Sequence, residues 1–93
     1  MKSFVLLASI NPDRRAYLEI IASMLDACRC STRKTRVMSQ CNMSFYQFGS
    51  YWNVLLKANL LLAENNGQHG LFRVTDKGKD FLKAYNGLIA MLE

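Results

Sequence analysis

The sequence holds one proline, one tryptophan and one histidine in 93 residues, with three cysteines at positions 28, 30 and 41. An odd, sparse cysteine set is no disulfide framework. Cys28, Cys30, Cys41 and His69 together are four soft donors, as in a Cys3His zinc site. Their C-x-C spacing is unusual for such a site, and Cys28 falls in an apolar helical stripe. No metal and no cofactor is expected. No apolar run approaches the roughly 18 residues that mark a membrane-spanning helix, so no membrane partner is expected. A phosphate-cradling glycine loop is missing too. Asp13, Glu19 and Asp26 fall on the outer side of one helix with no partner base, so no enzymatic activity is expected.

Acid is the other scarcity. Seven Asp and Glu stand against 12 Lys and Arg, a formal net charge of +5. Between Ala27 and Ala63 there is no acidic residue at all, while Arg29, Arg33, Lys34, Arg36 and Lys57 lie in that stretch. A one-sided positive surface calls for an acidic partner, and nucleic acid is the first candidate. Apolar residues make up 51% of the chain, enough for a packed core and against a disordered basic tail. One domain over residues 1–93 is expected.

The start, Met1 to Ile10, resembles a very short signal peptide. Asn11-Pro12-Asp13-Arg14-Arg15 ends it in polarity without a small-x-small cleavage site. Residues 1–11 are therefore read as an apolar arm that packs on the domain or on a partner, and the protein as cytoplasmic. Asn42-Met43-Ser44 matches a glycosylation acceptor, which has no meaning in that compartment.

Asn11 and Pro12 form a helix start, a capping side chain followed by a proline at the first helical position. Ala16, Tyr17, Ile20, Ile21, Met24, Leu25 and Cys28 then recur at helical spacing, predicting a first helix over 12–28. Ser31 or Thr32 is expected to cap a short second helix over Arg33 to Gln40 or Cys41. Cys41-Asn42-Met43 reads as a tight turn. Ser44 then caps a third helix to about Ala58, with Phe45, Phe48, Trp52, Leu55 and Leu56 on its apolar side. Gly49 inside that helix costs about 1 kcal/mol, which predicts a close backbone approach, to the second helix or to DNA. Asn59 is expected to end the helix in the left-handed conformation. Leu60 to Glu64 and Leu71 to Val74 read as two strands of a hairpin around Asn65 to Gly70. Thr75 caps a last helix whose apolar face is Phe81, Leu82, Tyr85, Leu88, Ile89 and Leu92.

Helix, helix, turn, helix, hairpin, helix is the order of a winged helix-turn-helix domain. The expected class is α+β, mainly helical, with a two-stranded wing and a C-terminal helix. Residues 12–75 supply the core and wing, and residues 76–93 the last helix. In such a fold the helix after the turn enters the major groove of double-stranded DNA. Here its groove-facing candidates are Ser44, Tyr46, Gln47, Ser50 and Asn53, with Lys57 beyond. Arg33, Lys34 and Arg36 are candidate phosphate contacts, and Gln68, His69 and Arg73 around the wing are candidates for phosphates or the minor groove. Between Ser44 and Val54 there is no Arg or Lys, which argues against strong guanine readout.

Several motifs narrow this further. They are Arg33-Lys34-Thr35-Arg36-Val37-Met38, then Asn42-Met43-Ser44-Phe45, then Tyr51 with Leu55-Leu56-Lys57-Ala58-Asn59-Leu60-Leu61. Val74-Thr75-Asp76-Lys77-Gly78 and Phe81-Leu82 complete the set. Over roughly Arg15 to Tyr85 the chain resembles small winged-helix proteins of archaea and their viruses. These include archaeal DNA-binding proteins that dimerise through a C-terminal antiparallel coiled coil. The resemblance implies a homodimeric, sequence-specific DNA-binding protein that regulates transcription, acting in a host cytoplasm if viral. The last helix here is expected to be short, and Gly87 to interrupt it. Its Phe81, Tyr85, Leu88 and Leu92 still follow heptad-like spacing, with Ile89 beside them, so a dimer interface is expected there. Two other classes compete: a protein-interaction module on the same scaffold, and non-specific architectural DNA binding. The first is favoured if Tyr46, Tyr51 and Trp52 form an exposed apolar patch, or if pull-downs recover protein without nucleic acid.

Overall fold

The computed structural model describes residues 12–67 and 69–93, and omits the side chains of residues 12–16, 66 and 67. The expected arm at residues 1–11 and the wing candidate Gln68 lie outside the described residues, as does the capping side chain of Asn11. Along the chain run α1 (Pro12–Ala27), β1 (Thr32–Arg33), α2 (Lys34–Gln40), α3 (Phe45–Lys57), β2 (Leu61–Ala63), β3 (Leu71–Val74) and α4 (Asp76–Leu92). A 3-10 turn over Glu64–Gly67 joins β2 to the wing tip.

Ile21, Ala22, Met24 and Leu25 of α1 are buried, the three-to-four spacing of one helical face. Cys28 sits just past the helix end and is fully buried. Its carbonyl accepts from the Val74 backbone N–H at 3.0 Å, which ties the end of α1 to the sheet. Helix α1 packs against both α2 and α4. Val37 from α2, and Phe48, Trp52 and Leu55 from α3, complete the centre of the core with Leu60, Leu61, Val74 and Leu82. Trp52 is stacked on Phe48 with ring centroids 5.1 Å apart and meets Phe72 edge-on at 4.9 Å. This indole joins α3 to the sheet.

Two asparagines end two helices in the same way. Asn42 after α2 and Asn59 after α3 have φ of 54° and 61°, in the left-handed region. In both, the asparagine N–H bonds back to a carbonyl three residues earlier, Ser39 and Leu56. The next residue's N–H reaches back five residues, Met43 to Met38 and Leu60 to Leu55. These are Schellman motifs, which satisfy the last carbonyls of each helix and turn the chain sharply. The first makes the turn of the helix-turn-helix, and the second delivers Leu60 and Leu61 into the core.

Local chemistry also starts two helices as expected. The Ser44 hydroxyl accepts from the Gln47 backbone N–H at 3.2 Å, and the Thr75 hydroxyl accepts from that of Gly78 at 3.0 Å. Thr75 also donates to the Asn59 carbonyl at 2.7 Å, and the Lys77 ammonium donates to the Ala58 carbonyl at 2.8 Å. The start of α4 is thereby pinned on the end of α3. Gly78 is required there: a Cβ at this position would overlap the Val74 side chain and the Leu60 carbonyl oxygen.

The structure corrects the sequence reading in four places. Neither Ser31 nor Thr32 caps α2; its N-cap is Arg33, in extended backbone with no capping side chain. Thr32 and Arg33 instead form β1, in register with Phe72 and Leu71 of β3. The expected two-stranded wing, β2 paired with β3, is present, and β1 adds a third strand to its sheet in the order β1-β3-β2. Pairing with the free edge of β3 satisfies backbone groups that the connection would otherwise leave open. Phe45, expected in the core, is 82% exposed, because the first turn of α3 runs past the packed centre. Gly49 has nothing near its absent Cβ, so it makes no close approach to α2. Finally, Gly87 does not interrupt α4, which continues to Leu92.

Candidate nucleic-acid interface

Helix α3 is held by one face. Phe48, Trp52 and Leu55 anchor it in the core, and Tyr46, Ser50, Asn53 and Lys57 recur on the opposite side, all exposed. Gln47 is exposed beside them. Its backbone N–H serves the Ser44 cap, while its side-chain amide has no hydrogen-bond partner among the described residues. Ser44 spends its oxygen on that cap as an acceptor and keeps its hydroxyl proton for donation. Gly49 leaves an open strip of backbone between the first and second turns of the helix.

Arg33, Lys34 and Arg36 are all exposed at the start of α2. The structure separates them into two settings. Arg33 and Arg36 line a shallow hollow of about 650 Å³ with Ser31, Thr35, Gln40 and Leu71. Lys34 leans the other way, its ammonium 5.9 Å from the centroid of the Trp52 ring, a cation–π distance. Among the described residues, Arg33, Lys34, Arg36 and Lys57 form no ion pair. Arg29 does: its Nε is 2.5 Å from Asp26 Oδ1.

The wing candidates differ from one another. His69 is exposed at the turn before β3. Arg73 lies in β3, and its Nε is 3.5 Å from Glu64 Oε2. That same carboxylate oxygen accepts from the Ser31 hydroxyl. Glu64 thus bridges the residue before β1 to the outer face of β3, and it offsets part of the Arg73 charge.

The expected dimer residues are also divided. Phe81 and Tyr85 are partly buried against the core and stacked in parallel, centroids 6.5 Å apart. Ile89 is half-buried. Beyond them Leu88, Met91 and Leu92 are 53%, 81% and 75% exposed. Met91 was not among the expected residues, although it lies three positions from Leu88. Of the aromatic residues on α3, Trp52 is buried, Tyr51 half-buried and Tyr46 exposed, so the three do not form one exposed apolar patch.

Of the three free thiols, Cys28 is buried, Cys41 half-buried and Cys30 exposed. Burial pushes the Cys28 thiol up from 9.0 to about 12, with the neighbouring Cys41 a second contribution. Burial raises Cys41 too. Such thiols are poor nucleophiles and poor metal ligands. No cluster of three or more His, Cys, Asp or Glu side chains suited to a metal exists among the described residues. Nor is any helix among them long and apolar enough to cross a membrane.

Three helices, a sharp turn between the second and third, and a small antiparallel sheet define a winged-helix domain. Residues 14–93 match the family model of the winged helix-turn-helix, and the chain belongs to that family. The family points to DNA as the partner. No curated protein matches the chain.

Proposed function

We propose that this protein binds double-stranded DNA sequence-specifically as a homodimer and regulates transcription. Helix α3 enters the major groove with Tyr46, Gln47, Ser50 and Asn53 toward the bases. Arg33, Lys34 and Arg36 hold the phosphates on one side, and Lys57 on the other. His69 and Arg73, with Gln68 at the wing tip, meet the flanking backbone. One observation carries this reading: an exposed polar face on the helix after the turn, bordered by cations, in a stretch without any acidic residue. Phosphate contacts position such a helix and base contacts specify it.

The homodimer rests on the distal end of α4, where Leu88, Met91 and Leu92 leave an apolar surface in water. Two copies joined there would present two α3 helices to successive major grooves. The resemblance to archaeal and archaeal-virus proteins supplies the setting, a regulator in the host cytoplasm. The fold family is typically a non-catalytic DNA-binding one, in keeping with the expected lack of enzymatic activity.

Selection of bound duplexes from a random pool, followed by fluorescence titration, tests the reading. A palindromic site with half-sites about one helical turn apart is expected. In a dimer, Arg33, Lys34 and Arg36 together contribute about −5 to the slope of log K against log salt. Replacing Arg33, Lys34 and Arg36 by alanine should remove that contribution, leave the smaller slope due to Lys57 and Arg73, and lower affinity at least a hundredfold at low salt. Negligible affinity of the unaltered protein at low salt would falsify DNA binding. Uniform footprints along any duplex would replace the regulator with an architectural protein.

A further inference from the structure

Phe45 and Tyr46 are the most exposed aromatic side chains among the described residues, at the first turn of α3. Phe45 is the harder of the two to explain. Its spacing from Phe48 and Trp52 would put it toward the core, yet none of the described residues covers it. It has no polar atom to satisfy in water, so its ring is available to an apolar partner.

We infer that Phe45 is a specificity-determining residue that packs on thymine methyl groups, and that each half-site presents A·T pairs to the first turn of α3. This rests on the DNA-binding reading above and deepens it. Three features of this surface agree. First, N-terminal residues of a groove-reading helix are the ones that reach base edges, and Phe45 is the first residue of α3. Second, thymine alone of the four bases carries a methyl group in the major groove, and phenylalanine is one of the side chains that pack on it. Third, α3 has no cation between Ser44 and Val54 to grip guanine O6 and N7, whereas Gln47 and Asn53 are amides that pair with adenine N6 and N7. An apolar residue for thymine and an amide for adenine together read an A·T pair from both edges.

The charge of the chain stretch that carries Phe45 selects DNA over a protein or a second copy as its occupant. The flanking cations Arg33, Lys34, Arg36 and Lys57 have no carboxylate partner among the described residues, and no acidic residue occurs from Ala27 to Ala63. Two such surfaces would repel one another, while a polyanion is drawn to them. Gly49, one turn beyond Phe45, adds no side chain that would hold a base edge away.

The test uses the full chain and the duplexes it selects. In one arm thymines within each half-site are replaced, one at a time, by deoxyuridine, which removes only the methyl group. The unaltered protein should lose about fourfold in affinity for one critical thymine, the factor of one buried methyl group. In a symmetric site altered in both halves the loss should be about fifteenfold. Phe45→Ala should bind thymine and uracil duplexes equally, and Phe45→Leu should keep most of the difference. Both variants should melt like the parent, because the ring makes no core contact. Equal affinity of the unaltered protein for the two duplexes overturns the inference and leaves DNA binding standing. So does a thymine–uracil difference that survives in Phe45→Ala, or a selected site with G·C pairs in place of A·T. A change in oligomeric state on Phe45→Ala would assign the ring to a protein contact instead. Loss of all DNA affinity in the unaltered protein would remove this inference together with the reading beneath it.

Discussion

Helices α3 and α4 both start on a hydroxyl cap, Ser44 and Thr75, and both carry a glycine in mid-course, Gly49 and Gly87. They leave opposite ends uncovered. In α3 the middle is clamped by Phe48, Trp52 and Leu55, and the first turn projects with Phe45 and Tyr46. In α4 the first half is held by Gly78 and Leu82, and the last turns project with Leu88, Met91 and Leu92. The electrostatic settings differ as much. The uncovered turn of α3 stands in a stretch with cations only. Helix α4 mixes Asp76 and Asp80 with Lys77, Lys79 and Lys83. Apolar groups beside unpaired cations suit an anionic partner with an apolar edge, as a DNA groove has. Apolar groups beside balanced charge suit a second protein surface.

The comparison breaks most severely if the shared anchor is removed. Trp52→Ala should destabilise the fold by about 3–5 kcal/mol, read as a lower thermal midpoint, with both uncovered ends losing their placement together. Next comes the C-terminal end alone. Leu88→Glu with Met91→Glu should weaken self-association by roughly a hundredfold through repulsion and lost apolar contact. Sedimentation should then show a folded monomer. If the altered chain still sediments as a dimer, the interface lies elsewhere.

The buried end of α1, against which the sheet is tied, has its own signature in alkaline solution. Cys28 keeps its proton to about pH 12 in the folded chain, whereas an unfolded chain releases it near pH 9.0. Its contribution is therefore complete below pH 9 and is lost as pH rises toward 12, at up to about 1.4 kcal/mol per pH unit. Urea unfolding at pH 9, 10 and 11 should show a steeper decline for the parent than for Cys28→Ala. Parallel curves would show that Cys28 is not responsible.

The smallest effect separates the two glycines. Alanine fits at both positions without contact, so Gly49→Ala and Gly87→Ala should each stabilise the fold by about 1 kcal/mol. Only Gly49→Ala should weaken DNA affinity, since only it adds a methyl group beside the proposed base-reading turn. Equal DNA affinities for the two variants would mean that the backbone at Gly49 does not approach the duplex.

Much of the fold was legible because it rests on short-range chemistry. The caps of Ser44 and Thr75 and the turns at Asn42 and Asn59 use backbone atoms no more than a few residues away, so their positions reveal where helices begin and turn. The acid-free stretch is likewise visible without a fold. β1 was not legible: Thr32 and Arg33 are too few to show alternation, and they become a strand only because Phe72 and Leu71 of β3 lie alongside. For the candidate site, the outward stripe of α3 and the cations of α2 followed from helical spacing and charge. The Glu64 bridge to Ser31 and Arg73 did not, because it joins residues 33 positions apart in one contact and crosses the sheet in the other.

The sequence by itself determined the order of the elements, their caps and the one-sided charge, since each depends on neighbours along the chain or on composition. Only the tertiary structure decided which apolar residues are spare. Phe45 and Phe48 have equal claims to the core by residue type, as do Leu82 and Leu88. Burial depends on whether another element lies opposite, and that is fixed by how far each helix extends beyond its partners. The reach of α3 past the core at one end, and of α4 at the other, turns surplus hydrophobic residues into two different surfaces.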